Sequence, residues 1–107
     1  MIGIVALAAA AAAAATCPAH RGSAPLRSVD LYDEPITDNA LLAPDTTRRL
    51  NRTTVQVWRV DGVYSARRSL HIRCGYAIGG SVMVPVTKPV RECRLSARAG
   101  VRTFRCA

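Results

Sequence analysis

None of the four cysteines of this 107-residue chain lies in a C-x-x-C pair. Zinc-binding and thioredoxin-like sites of that spacing are therefore excluded. The only histidines, His20 and His71, stand at metal-ligand spacing neither from each other nor from a cysteine. No serine occupies a G-x-S-x-G turn, and no glycine-rich run is built to cradle phosphate; Gly79-Gly80 reads as a turn. These absences point away from an enzyme and call for no cofactor or metal. Aromatic residues make up 5% of the chain. Trp58 and Tyr64 do stand near Arg59 and Arg67, as in some nucleic-acid sites. The leader described next argues against that partner, and Trp58 reads as core.

What is present begins with Met1 to Ala15, an unbroken apolar and alanine-rich run, after which Thr16-Cys17-Pro18-Ala19-His20 turns polar. This is the layout of a secretory signal peptide, taken here as residues 1–19, although no Lys or Arg precedes the apolar run. The run is shorter than the roughly 20 residues a membrane helix needs, so no stable span is expected in the mature chain. Lipid attachment at Cys17 is the weaker alternative, because Ala14 stands where such sites usually carry Leu. A cut after Ala15 keeps Cys17 and an even cysteine count; a cut after Ala19 removes it. Export to an oxidising compartment makes Cys74, Cys93 and Cys106 disulfide partners as well.

Lysine is nearly missing: Lys88 is the single lysine among 15 basic residues. The formal net charge of +8 is unevenly spread. Residues 16–45 hold Arg21 and Arg27 against Asp30, Asp33, Glu34, Asp38 and Asp45. Residues 46–107 hold twelve arginines and Lys88 against Asp61 and Glu92. Such asymmetry predicts an acidic partner, a protein or a sulfated glycan.

Residues 20–50 read as an irregular N-terminal arm, with turn signals at Asp33-Glu34-Pro35 and Ala43-Pro44-Asp45 and a short helical turn capped by Asp45. Residues 51–107 read as a disulfide-stabilised β domain. Thr53 to Val60 is strand-like, and Asp61-Gly62 predicts a hairpin into Val63–Ala66. From Ser69 to Ile78 the alternation is clear, with Leu70, Ile72, Cys74, Tyr76 and Ile78 on one face. Ser81 to Thr87 forms a further strand; Pro85 confines it to an edge or a bulge.

The sharpest expectation concerns the last segment. With Ala99-Gly100 as a two-residue turn, Cys93 faces Cys106, Leu95 faces Phe104 and Arg94 faces Arg105. The disulfide and the apolar pair then share one face, and the arginines fall on the other. Cys74 is left for Cys17 or for a second chain. Asn51-Arg52-Thr53 is an N-glycosylation acceptor triplet.

Cys74-Gly75-Tyr76-Ala77-Ile78-Gly79, followed by Cys93 and Cys106, faintly resembles the second half of a complement-control (sushi) module. It departs from that pattern in lacking both the spacer after Cys74 and a Trp between Cys93 and Cys106. The cysteine pair at the C-terminus, in a small arginine-rich chain, also resembles herpesvirus glycoprotein L. That resemblance implies a subunit of a viral envelope complex.

The expectation is a small all-β domain: an antiparallel, disulfide-stabilised sheet or sandwich of five to six strands from about residue 53 to 107. Its function is binding an acidic extracellular partner through Arg94, Arg98, Arg105, Arg67 and Arg68. The alternatives are an accessory subunit of a viral or cell-surface glycoprotein complex, tethered through Cys74, and a secreted protease or hydrolase inhibitor.

Overall fold

The computed structural model describes residues 15–33, 40–78 and 80–107. The leader as far as residue 14, Glu34-Pro35 of one expected turn and Gly79 of the glycine pair lie outside them. The elements in chain order are β1 (Ala15–Cys17), β2 (His20–Arg21), β3 (Ala24–Tyr32), β4 (Thr46–Leu50), β5 (Thr53–Arg59), α1 (Asp61–Ser65), β6 (His71–Tyr76), β7 (Ser81–Val84), β8 (Glu92–Arg98) and β9 (Val101–Cys106).

They form two antiparallel sheets, a five-stranded one in the order β1-β9-β8-β5-β4 and a four-stranded one in the order β2-β3-β6-β7. The all-β, antiparallel, disulfide-stabilised class is as expected. Five of the strands, β5 to β9, lie in residues 53–107. The other four begin earlier, and β2, β3 and β4 run through the segment expected to be irregular.

The C-terminal hairpin has the register that the turn at Ala99-Gly100 imposes. Cys93 pairs with Cys106, Arg94 with Arg105 and Leu95 with Phe104. Both turn residues have positive φ, 52° and 78°, which matches the right-handed twist of the flanking strands. The Cys93 and Cys106 Cα atoms stand 4.0 Å apart, and a disulfide joins them. Trp58 lies beside Cys93 on β5, and its ring meets Phe104 edge-on at 6.2 Å. Its indole N–H donates to the Leu42 carbonyl at 3.1 Å, so this buried ring keeps no orphan donor.

In β6 the alternation holds: Ile72, Cys74 and Tyr76 are buried. It stops there, and Ile78 is 75% exposed because the strand ends at Tyr76. β7 is an edge strand that finishes before Pro85, which has no N–H to donate to a ladder. Gly75 has a tertiary reason: a Cβ there would meet the Ser28 Oγ at 2.5 Å, where β3 carries an irregularity between Leu26 and Ser28.

Two local readings are corrected. Asp61-Gly62 opens α1 and forms no hairpin, and Val63 is buried within that helical turn. β5 is already paired on both sides, by β4 and β8, so no edge is left for a strand at 63–66. Asp45 caps no helix. Its N–H donates to the Val57 carbonyl and its carboxylate accepts from the Arg59 N–H, which starts β4 as a strand alongside β5.

The inner faces of the two sheets share one core, built from Trp58, Cys93, Leu95, Phe104 and Cys106 on one side and Leu26, Val29, Leu31, Ile72, Cys74 and Tyr76 on the other. A second disulfide, Cys17–Cys74, ties β1 of the five-stranded sheet to β6 of the four-stranded one. Cys74 is therefore bonded within the chain and is not a tether to a partner.

The two disulfides close loops of different length, with sequence separations of 57 and 13. Chain entropy assigns about 4 kcal/mol to the first and about 3 kcal/mol to the second. The paired variant Cys17→Ser/Cys74→Ser is thus expected to lose more stability in urea denaturation than Cys93→Ser/Cys106→Ser.

The Tyr76 hydroxyl donates to the Pro18 carbonyl at 2.8 Å, and burial raises its pKa above the ordinary 10.0. The folded chain holds that proton more tightly than the unfolded one. Stability should be constant below pH 10 in this respect and fall as pH rises through the ordinary tyrosine range. Tyr76→Phe should cost about 1 kcal/mol at neutral pH and flatten the alkaline fall, as read by denaturation at a series of pH values.

Candidate protein-docking face

The period of two along a strand sends alternate side chains of the five-stranded sheet inward and outward. The outward set falls in rows. One row is Thr46, Val57, Arg94, Arg105 and Thr16; the next is Arg48, Val55, Ser96 and Thr103; the third is Leu50, Thr53, Arg98 and Val101. Arg59 and Glu92 pair at the end nearest α1. The result is an apolar strip of Val55 and Val57, with Leu50 and Val101 61% and 52% exposed, framed by Arg48, Arg59, Arg94, Arg98 and Arg105.

No element among the described residues covers this strip. A groove of about 390 Å³ runs over it, lined among others by Asp45, Arg48, Leu50, Val55, Val57 and Arg94. A second hollow of about 320 Å³, lined by Glu92, Arg94, Arg105 and Ala107, continues it across β8 and β9. Arg94 and Arg105 face each other as the register requires, and the like charges are offset by Glu92, whose carboxylate accepts from the Arg94 guanidinium at 3.2 Å. The pair is exposed, so this ion pair contributes little to stability.

Three of the five arginines singled out from sequence, Arg94, Arg98 and Arg105, are brought onto this face. Arg67 and Arg68 are not. They follow α1, Arg67 with a positive φ of 62°, and Arg68 forms an ion pair with Asp33 at 2.8 Å. Arg68 lines a separate hollow of about 260 Å³ between α1 and β5, together with Trp58, Arg59 and Asp45. Sequence reading missed Arg48, because residues 45–50 looked helical. It also missed Arg59, Val55 and Val57, although alternation from Thr53 to Arg59 puts those three on one face.

Asn51 sits at the exposed corner between β4 and β5, with φ 57°. Asn is one of the few residues that adopts this left-handed conformation readily, and that is a sufficient reason for its presence. His20 and His71 stay apart, on β2 and β6, and among the described residues no cluster of His, Cys, Asp and Glu is placed to hold a metal. No helix among the described residues is long and apolar enough to cross a membrane.

Because the outward arginines are themselves exposed, they should be dispensable for folding. Arg94→Glu makes an opposite-charge pair with Arg105 but loses the exposed ion pair to Glu92 and sets two carboxylates together, so the two effects offset and stability should stay within about 0.5 kcal/mol. Trp58→Ala, on the inward face, should cost about 3–5 kcal/mol in the same thermal or urea melts.

The family model of the type VI secretion system Tli immunity proteins matches residues 20–107. No curated protein and no solved structure matches the chain. The family overturns several sequence readings. A bacterial immunity protein is not a viral or cell-surface glycoprotein subunit, so Asn51 is a turn residue and not a glycan acceptor. Nor is it a factor for sulfated glycans or a general protease inhibitor; a basic surface and a small disulfide-bonded β fold are common to all of these and separate none of them. The match spans the β2–β9 framework and every arginine of the docking face, and the chain belongs to the type VI secretion system Tli immunity protein family.

Proposed function

We propose that this chain is an exported immunity protein that binds its cognate effector through the outward face of the five-stranded sheet and neutralises it by occlusion, without catalysis. The observation that carries this reading is the uncovered strip of Val55 and Val57 within a frame of five arginines. A flat apolar centre excludes water, and a charged rim sets orientation and partner choice. Arg is suited to such a rim because its planar guanidinium binds carboxylates in a bidentate manner.

The docking region of the effector would carry apolar side chains opposite Val55 and Val57 and carboxylates opposite Arg48, Arg94 and Arg105. The exposed edge of β4 borders the same groove. Its Arg48 and Arg49 discourage indiscriminate strand pairing there. The leader and the two disulfides support action in the periplasm, the oxidising compartment of a bacterial cell.

Titration of the purified cognate effector by calorimetry tests this. Val57→Asp and Arg94→Glu should each weaken binding at least 30-fold, the size of an interface hot spot, with melting temperature unchanged for Arg94→Glu. Arg67→Glu should leave affinity within about twofold, as expected for a residue outside the interface. Unchanged affinity in Arg94→Glu, Arg48→Glu and Val57→Asp alike would move the site off this face.

A further inference from the structure

The first residues described are structural. Ala15, Thr16 and Cys17 pair with Cys106, Arg105 and Phe104, and Ala15 and Cys17 are only 5% and 4% exposed. β1 is one of the two edge strands of its sheet and covers the ladder edge of β9. Beyond it, the Pro18 carbonyl accepts from Tyr76 and the Ala19 carbonyl accepts from the Leu26 N–H at 2.8 Å. Cys17 is bonded to Cys74, which is fully buried.

A cut between Ala19 and His20 would remove all of this. It would strip the edge of β9 and leave a buried, unpaired thiol at Cys74. It would also delete the covalent link between the sheets, the longer-range of the two disulfides. Lipid attachment to Cys17 would likewise delete the link and leave Cys74 unpaired, because a sulfur committed to a thioether cannot form the disulfide.

We propose that the export leader is removed at or before the Ala15–Thr16 bond, so that Cys17 stays in the mature protein as the structural partner of Cys74 and carries no lipid. Hydrolysis adds water across that peptide bond, leaving a carboxylate on the leader and a new α-amino group on the chain. The Cys17 and Cys74 thiols then pass two electrons and two protons to a disulfide oxidant of the exported compartment. The family match begins at residue 20, so β1 and Cys17 are features of this chain beyond the matched region. The proposal rests on export and is independent of where the effector docks.

The test is the intact mass of the full-length chain, expressed in a bacterium and recovered from its periplasmic and membrane fractions, with a peptide map before and after reduction. The expected product is a soluble periplasmic chain whose N-terminus is Thr16 or an earlier residue of the alanine tract. Its Cys17 and Cys74 peptides are linked until reduction. A periplasmic chain beginning at His20, or a membrane-bound chain with an acylated Cys17, overturns the proposal while leaving export intact. An uncut chain in the cytoplasm overturns both. In Cys17→Ser, Cys74 should become alkylatable once the chain is unfolded, whereas the unreduced wild type should take up no label; label on the wild type would also overturn the proposal.

Discussion

The bond between Cys17 and Cys74 joins an edge strand of the five-stranded sheet to an inner strand of the four-stranded one. Both cysteines belong to the shared core, whose residues run from Ala15 to Cys106. A domain of this size buries a modest share of its surface, so a link between its layers matters more than it would in a larger protein. The second disulfide acts locally, within one hairpin. One bond thus holds the layers together and the other pins a register.

That register determines what the protein presents. Cys93 and Cys106 face inward beside Trp58, so Arg94 and Arg105 must face outward, along with Val57 in the same row. A slip of one residue would exchange the two sets and put arginines in the core. The hairpin disulfide therefore fixes which side chains are presented, by excluding the alternative register. Membership of the immunity family points to a protein partner, which composition alone did not, and an arginine-framed apolar strip is compatible with one. Attraction to acidic polymers follows from the same net charge, which is why charge could not separate a glycan from an effector.

The outer side of the other sheet carries its charge differently. Arg73 reaches both the Asp30 carboxylate at 3.0 Å and the Tyr32 hydroxyl at 2.7 Å, and these contacts hold the guanidinium more firmly in its charged form. Here an arginine is spent within the fold. On the five-stranded sheet Arg98 and Arg105 stand on the outward face, beside the half-buried Val55 and Val57 and the exposed Val101.

Sequence alone was enough for the alternation of Ile72, Cys74 and Tyr76 and the pairing of Cys93 with Cys106 about Ala99-Gly100; for the strand at Ser81 it left an edge or a bulge open, and the strand is an edge that ends at Val84, short of the expected Thr87. Each depends on neighbours within a few residues, or on a turn whose geometry leaves one register. Asp61-Gly62 has the same local signature as a hairpin turn, yet it opens a helix, because both edges of β5 are already taken, one by β4 just before it and the other by β8 some thirty residues on. β4 was unreadable for a related reason: Thr46 to Leu50 is wholly exposed, so no hydrophobic pattern marks it, and only its ladder to β5 makes it a strand. The outward face, assembled when the β4–β5 hairpin pairs with the β8–β9 hairpin, and the choice of Cys17 as partner for Cys74 are long-range results. Local pattern determined which side chains share a strand face; only tertiary structure decided which strands lie side by side, because that depends on competition among distant segments for the same backbone hydrogen bonds.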